Sequence, residues 1–277
     1  YANFRGADFR GEEINLTRSP DCLNVWRDYK EVEGIRTRPG LALKSSFGDK
    51  IYGIYFYNDD ITIVHSGTKL YKVVNGVKSD LYSGVKAAVS DGFIYNNIWY
   101  FKDGENYLRY DGTTISEVVG HIPTTSIGRK PSGGGTIHED VNMLSEYRIN
   151  TFLGDGESKR FYLDAPDIDK FGIVSVEVNG EPLSPVDYTW TTTSKETFVE
   201  IEVDPKQTTP KTDGQDNVVI KFKKTVAGYK EKILGCTLLQ VFDNRVFVSG
   251  NPDYPNTVWH CSLNDPSYFS DLDYYHE

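Results

Sequence analysis

One repeat constrains the fold of this chain more than any other feature of its sequence. GIYFYNDDITIVHSGTKLYKVVNG at 53–76 and VSDGFIYNNIWYFKDGENYLRYDG at 89–112 share one order of apolar and turn residues, with Ile61 falling on Ile98. Asn, Asp and Gly tolerate the positive φ of tight hairpin turns. Each copy therefore predicts three short antiparallel strands joined by tight turns.

Further strands extend the repeat. DLYSG at 80–84 and SEVVG at 116–120 predict a further strand after each copy, and LLQVFDNRVFVSGNPDYPNTVWHCS at 238–262 is a third copy with the same order of strands and turns. A period of about 40 residues with about four short strands is typical of a β-propeller blade. The alternative is a plain β-meander whose hairpins merely look alike.

A different pattern separates the second and third copies. SIGRKPSGGGTIHE at 126–139 predicts a linker, because Gly, Ser and Pro favour irregular backbone. Strands at a spacing of about 10 residues follow, which predicts a small β-sandwich. Those strands are predicted in RINTFLGDGESKRFYLD (148–164), GIVSVEVNGEPL (172–183), TFVEIEVD (197–204) and NVVIKFKKT (217–225).

The predicted fold class is all-β: propeller-like blades with an inserted small β-sandwich. We expect the first blades at 1–142, the inserted domain at 143–227 and a further blade at 228–277. Three blade-like units do not close a propeller, which usually needs four or more. Residues 9–52 could supply another blade, but we favour a fragment of a longer polypeptide with an incomplete propeller. Helical periodicity is confined to short stretches near 85–89 and 141–147.

Composition excludes several classes of protein. The formal charge of −10 over 277 residues argues against affinity based on neutralising phosphates. No apolar run reaches the roughly 18 residues of a membrane helix, so we expect no membrane span. Cys22, Cys236 and Cys261 are widely spaced, which favours free buried thiols and folding in a cytosol.

Motifs for catalysis or ligand binding are not found. GDGES at 154–158 lacks the spacing of a phosphate-binding loop, and the five histidines lack the spacing of a metal chelate. Acidic turns such as DGEN at 103–106 lack the order of calcium ligands and are explained by turn chemistry. We therefore nominate no catalytic, cofactor-binding or metal-binding residue and expect no enzyme activity. Tyr254, Tyr268 and Phe269 are candidate protein contacts, with packing at a blade edge as the alternative.

Three stretches resemble bacteriophage tail proteins. SPDCLNVWRDYKEVEGIRTRPGL (19–41) and GNPDYPNTVWHCSLNDPSYFSDLDYY (250–275) resemble the opening and a blade of tail-hub, nozzle (tubular tail) and packaged-DNA stabilisation proteins. FLGDGESKRFYLD (152–164) with VEVNGEPLSPVDYTW (176–190) is similar to small β-domains of tail and fibre proteins. Such hub proteins are much longer than this chain.

The resemblance implies a structural virion protein, assembled in the host bacterial cytoplasm and located in the tail or head-to-tail connection. It implies six copies in a ring, other tail, portal or adaptor proteins as partners, and DNA passing through a channel without specific binding. One alternative is a receptor-binding module that recognises host-surface glycans. A second alternative is a propeller glycoside hydrolase or lyase.

Overall fold

A computed structural model describes residues 25–27, 35–37 and 42–276 of the chain. The fold is all-β, with 46% strand and 4% helix, and the chain divides into two compact units, 1–46 and 47–277. In the first unit, β1 (Val25–Arg27) pairs antiparallel with β2 (Ile35–Thr37). Most of the resembling stretch at 19–41 and most of the blade considered at 9–52 lie outside the described residues.

Three four-stranded antiparallel sheets in the second unit are meanders, in which consecutive strands pair. They contain the strands predicted for the three copies of the repeat. Meander 1 consists of β3 (Ile51–Phe56), β4 (Ile61–Ser66), β5 (Lys69–Val74) and β6 (Val77–Ser83). Meander 2 consists of β7 (Asp91–Tyr95), β8 (Ile98–Lys102), β9 (Tyr107–Tyr110) and β10 (Ile115–Glu117). Meander 3 consists of β20 (Leu238–Phe242), β21 (Arg245–Ser249), β22 (Thr257–His260) and β23 (Tyr274–His276).

Matching two-residue turns fix the register between meanders 2 and 3. Asn96 and Asn97 join β7 to β8 with positive φ, and Asp243 and Asn244 join β20 to β21 in the same way. The residue after each turn is Ile98 in one meander and Arg245 in the other. Arg245 therefore corresponds to Ile98, and a slip of one residue would exchange the two faces of a strand.

The meanders stack face to face, with meander 2 in the middle. Its Trp99, Phe101, Leu108 and Tyr110 share one buried cluster with Ile63 and Leu70 of meander 1. Its opposite face, through Tyr100 and Tyr107, shares a second cluster with Val246, Val248 and Trp259 of meander 3. Burial of a side chain such as Phe101 contributes about 1.5–3 kcal/mol, so both interfaces are apolar and stabilising. No closed barrel or propeller is formed by the part of the chain that the structure describes.

Two more sheets lie between meanders 2 and 3 in the sequence. Residues from both sheets form one cluster that includes Phe152, Phe161, Val199 and Phe222. The six-stranded sheet has β13 (Tyr147–Phe152) and β19 (Val218–Lys223) at its centre, and β11 (Thr124–Arg129) joins β13 in parallel. Its remaining strands are β12 (Thr136–Ile137), β15 (Ile173–Val178) and β16 (Glu181–Pro182). The three-stranded sheet contains β14 (Arg160–Tyr162), β17 (Tyr188–Thr192) and β18 (Thr197–Ile201).

The segment predicted as a linker, 126–139, is instead part of the six-stranded sheet. β11 pairs with β12, and Arg129 donates hydrogen bonds from Nε and Nη2 to the carbonyl of Tyr162, at 3.2 and 2.8 Å. Three consecutive glycines with positive φ, Gly133 to Gly135, form the turn that allows this hairpin. The six-stranded sheet therefore includes strands that precede the domain boundary predicted at 143.

The two short stretches with helical periodicity, 85–89 and 141–147, do not form helices. The short helices that the structure describes are a 3-10 helix at Pro205–Thr208 and α1 at Tyr229–Leu234. The two ends of the segment 147–223 meet, because the amide of Lys224 donates to the carbonyl of Glu146 at 2.7 Å. Helix α1 follows this segment in the chain.

Candidate functional site

Exposed apolar side chains occupy the two ends of the stack of meanders. In β3, the ring of Tyr55 lies 5.2 Å from that of Trp99 in meander 2, so the neighbours Ile54 and Phe56 point to the opposite face. Ile54 is 54% exposed and Phe56 is 73% exposed. In β20, Leu238 is 62% and Phe242 70% exposed. We call these surfaces the outer face of meander 1 and the outer face of meander 3.

An aromatic row continues the outer face of meander 3 across its strands. The ring of His260 lies 5.5 Å from that of Phe247 and 5.7 Å from that of Tyr275. Arg245 lies at one side of this row, and its Nη1 is 3.3 Å from Nδ1 of His260. This face is broad, apolar at its centre and bordered by one cation, which suits a protein surface as its ligand.

The three predicted contact residues lie in different environments. Tyr254 remains exposed and its ring packs at 5.7 Å against Trp259. Tyr268 is half-buried, donates its hydroxyl to the carbonyl of Asp140 at 2.9 Å, and has a pKa raised by burial. Phe269 is fully buried in the cluster between meanders 2 and 3, so its ring cannot reach a partner and the packing alternative applies to it.

A buried polar chain, which sequence reasoning missed, joins meander 1 to the segment before meander 2. Oγ of Ser90 lies 2.7 Å from Oη of Tyr55 and 2.7 Å from Nδ1 of His65. Nε2 of His65 lies 3.1 Å from the carbonyl of Gly67. A carbonyl can only accept, so Nε2 carries the proton and Nδ1 accepts from Ser90. Ser90 in turn accepts from the hydroxyl of Tyr55.

The hydrogen-bonded chain Tyr55–Ser90–His65 contains a Ser–His pair, but its surroundings indicate a structural role rather than a catalytic one. Burial lowers the pKa of His65 and raises the pKa of Tyr55 to about 12, so both stay neutral near pH 7. His65 is fully buried and Ser90 nearly so, which keeps a substrate away from the hydroxyl. His65 and Tyr55 lie 25 and 35 residues from Ser90 in the sequence, and no short motif signals such a contact.

Lys102 is a buried cation between meander 2 and helix α1. Its Nζ donates to the carbonyl of Ile233 at 2.5 Å and to that of Leu234 at 3.0 Å, at the carboxyl end of the helix. Cations are favoured there because the last carbonyls of a helix lack internal partners. Burial lowers the pKa of Lys102 to about 8. The side chain acts as a helix cap rather than as a base facing a substrate.

The acidic turn at 103–106 has the role that turn chemistry predicts. Oδ1 of Asp103 accepts from the amides of Glu105 and Asn106, and Oδ2 accepts from the amide of Lys86 at 2.7 Å. Among the described residues, no three His, Cys, Asp or Glu side chains are placed to hold a metal ion. The carboxylate is therefore occupied by backbone donors.

The thiols match their prediction where they are described. Cys236 and Cys261 are free and fully buried, and burial raises the pKa of each to about 11. Cys22 lies outside the described residues. Over the described part of the chain, no helix has the length and apolar character needed to cross a bilayer.

Neither a protein-family model, nor a curated protein, nor a solved structure matches the chain. The candidate functional surfaces are therefore defined by geometry alone. They are the two outer faces of the stack and the exposed ring of Tyr254.

Proposed function

We propose that the protein is a structural component of a bacteriophage virion, an adaptor, hub or nozzle in the tail or head-to-tail connection. In this proposal the three meanders are consecutive propeller blades, and the two intervening sheets are an inserted β-sandwich that reaches a neighbouring tail protein. In this role, rigid sheets position the surfaces that bind partner proteins. The sequence resemblance supplies the phage context and the six-copy ring.

The face-to-face stacking of three four-stranded meanders carries the proposal. β7 of meander 2 lies against β20 of meander 3 although the chain between them forms two other sheets. The first strand of one blade lying against the first strand of the next is an arrangement expected around a propeller axis. A simple meander sheet would instead extend edge to edge.

The net charge of −10 fits a protein that DNA passes without binding. Phosphates are repelled by negative walls, and affinity for DNA in general rests on clustered Lys and Arg. We expect no retardation of duplex DNA by the purified protein at physiological salt. Binding whose strength falls steeply as salt rises would contradict a repulsive channel.

Antibodies against the purified chain test the location directly. Applied to particles released by cells that carry the gene, they should label the tail end, and electron microscopy of the particles should show the label around a channel. Label absent from every particle would overturn the proposal. Polysaccharide turnover lost on changing one loop carboxylate would support an enzyme instead, and binding on a glycan array would support a receptor-binding module.

A further inference from the structure

The three-stranded sheet has two edge strands, β14 and β17, on either side of β18. In an antiparallel sheet, the N–H and C=O groups of every second residue point toward the neighbouring strand, and those of the residues between them point away from it. On an edge strand, the groups that point away have no partner within the sheet. The two edges of this sheet differ in what meets these outward groups.

The outward groups of β14 are already hydrogen-bonded. The amide of Tyr162 donates to the carbonyl of Pro131 at 2.9 Å, and the carbonyl of Tyr162 accepts both hydrogen bonds from Arg129. Both partners belong to the hairpin that contains β11 and β12. This hairpin therefore covers the edge at β14 and prevents a further strand from pairing there.

Two hydrogen bonds at the ends of β17 show which of its residues face β18. The amide of Thr193 donates to the carbonyl of Glu196, and the amide of Glu202 donates to the carbonyl of Asp187, both at 2.8 Å. Positions 187 and 193 therefore face β18. Positions 189 and 191 face it as well, because facing residues alternate along the strand.

The outward groups of β17 belong mainly to Tyr188 and Trp190. Their amides and carbonyls form no hydrogen bond with any residue that the structure describes. Strand β17 is five residues long and contains neither a proline nor a charged residue, the features that commonly protect an edge strand. The edge strands of the six-stranded sheet, β12 and β16, have only two residues each. We call the outward side of β17 the open edge.

We propose that the open edge binds an extended segment of a neighbouring tail protein, which joins the three-stranded sheet as a fourth strand. Main-chain hydrogen bonds provide the affinity in this mode of binding, and alternate side chains provide the specificity. The inference rests on the proposed docking role of the inserted β-sandwich, and it names the strand through which the sandwich docks.

The two sides of the open edge differ in polarity. The rings of Tyr188 and Trp190 are partly buried against the core between the two sheets, so an added strand should place apolar side chains on that side. Thr189 and Thr191 are exposed on the other side. Threonines pair well across strands with other β-branched polar residues, so the segment should alternate apolar residues with threonine or similar side chains.

Two carboxylates give the open edge a negative end. Asp187 precedes β17, and Oε1 of Glu202 lies 3.4 Å from Oγ1 of Thr189. Neither carboxylate forms an ion pair with a cation among the described residues. A lysine or arginine on the added strand would be attracted to this end. The expected partner is therefore an extended, basic segment with alternating apolar residues.

Amide hydrogen exchange measured by NMR tests the open edge in the full chain. The probe is the peptide acetyl-Lys-Val-Thr-Val-Thr-Val-Lys-amide, in which the valines lie on one side and the threonines and lysines on the other. The amides of Tyr188 and Trp190 should exchange rapidly in the free protein and at least about tenfold more slowly at saturating peptide. The amides of Thr189 and Thr191 face β18 and should exchange slowly in both states.

Tyr188→Pro and Tyr188→Ala are a matched pair of variants. Both remove the ring, but only proline removes the outward N–H, and its own ring obstructs the incoming strand without breaking a bond to β18. Tyr188→Pro should bind the peptide at least about tenfold more weakly than Tyr188→Ala. A control peptide with glutamate in place of both lysines should bind the wild type more weakly than the probe. Exchange in the wild type tests the inference even when a variant does not fold.

Three results would overturn the inference: no saturable binding of the probe, rapid exchange at Tyr188 and Trp190 with the probe bound, or equal affinities of the two variants. Protection of both amides without peptide would also overturn it, and protection that rises with protein concentration would indicate a second copy on the edge. These measurements use purified protein, whereas the proposed virion location is tested on particles. A closed edge and a failed location are therefore distinguishable.

Discussion

Ser90 joins two elements through one hydroxyl, since Tyr55 and His65 both lie 2.7 Å from its Oγ. Ser90→Ala removes the donor to His65 and the acceptor for Tyr55, leaving two buried polar atoms without that partner. A buried polar group that loses its hydrogen bond costs about 1–3 kcal/mol. We expect Ser90→Ala to lower the free energy of unfolding by about 2 kcal/mol, measured by urea denaturation.

Ser116→Ala is the matched control, because Ser116 is an exposed serine on β10 of the neighbouring meander. It should change the free energy of unfolding by less than about 0.5 kcal/mol. Equal free energies of unfolding for the two variants would show that the Tyr55–Ser90–His65 hydrogen bonds do not stabilise the contact between meander 1 and the segment before meander 2.

Burial of Lys102 makes the free energy of unfolding depend on pH. Its pKa is about 8 in the folded chain and 10.5 in its ordinary state, so between these values the unfolded chain holds a proton that the folded chain has released. Stability therefore rises with pH across this window, and below pH 8 the folded state carries the full cost of burying the charge. Relative to Lys102→Met, the wild type should gain about 3 kcal/mol from pH 8 to 10.5, measured by denaturation at several pH values.

Subtraction of the variant isolates this effect when both proteins carry Cys236→Ala, because the charge of Lys102 lowers the pKa of the Cys236 thiol. The thiol of Cys261 titrates at about 9 when unfolded and about 11 when folded, so it lowers stability as pH rises through that range in both proteins. Lys195→Met, at an exposed lysine, should give a curve parallel to that of the wild type. A difference between wild type and Lys102→Met that stays flat from pH 8 to 10.5 would contradict a buried charged lysine.

At the scale of elements, Asn142 connects the segment between β12 and β13 to the last loop of meander 3. Its Nδ2 donates to the carbonyls of His121 and Ser267 at 2.8 and 2.9 Å. Its Oδ1 accepts from the amides of Leu144 and Phe269 at 3.1 and 3.0 Å. One buried amide thus satisfies four backbone groups.

Asn142→Asp preserves the size of the side chain but removes both donated hydrogen bonds. We expect a loss of about 2 kcal/mol, because two partly buried carbonyls lose their donor and face a carboxylate. Thermal unfolding followed by circular dichroism measures it. Asn256→Asp, at an exposed position in the same meander, should be nearly neutral. A stable Asn142→Asp protein would mean that the loop is held by its apolar contacts alone.

The elements that the sequence predicted well are those encoded locally. Alternating apolar residues and turns such as Asn179-Gly180 define strands within a few residues, and the structure has β15 and β16 on either side of that turn. Contacts between distant segments were not predictable in the same way. β11 appeared to be a linker because its pairing partner, β13, begins well after it in the chain.

Single residues of the candidate site were equally hard to predict from local sequence. Tyr254 and Phe269 both occur in turn-rich sequence, yet one ring is exposed and the other is buried by meander 2. That difference depends on which meander lies opposite, which local composition does not encode. The outer faces of the stack likewise became identifiable only when the turns fixed the register of meander 3.

For the whole molecule, the stack of meanders is expected to fold without most of the two intervening sheets. Glu146 and Lys224 already meet through a backbone hydrogen bond of 2.7 Å, so a short Gly-Ser linker can replace residues 147–223 with little strain. The clusters on either side of meander 2 contain no residue from that segment. We expect the shortened chain to unfold cooperatively, with Trp99 and Trp259 still buried by fluorescence.

Removal of meander 3, residues 238–276, provides the contrast. That deletion uncovers Tyr100 and Tyr107, because their cluster is completed by Val246, Val248 and Trp259. The truncated chain should bind a hydrophobic dye and unfold over a broader range of urea, while the linker variant should do neither. If both deletions unfold the protein equally, the intervening sheets are part of the folding unit of the meanders. If only the removal of meander 3 unfolds the protein, the meanders are a scaffold whose stability comes from face-to-face stacking, as the proposed docking role requires.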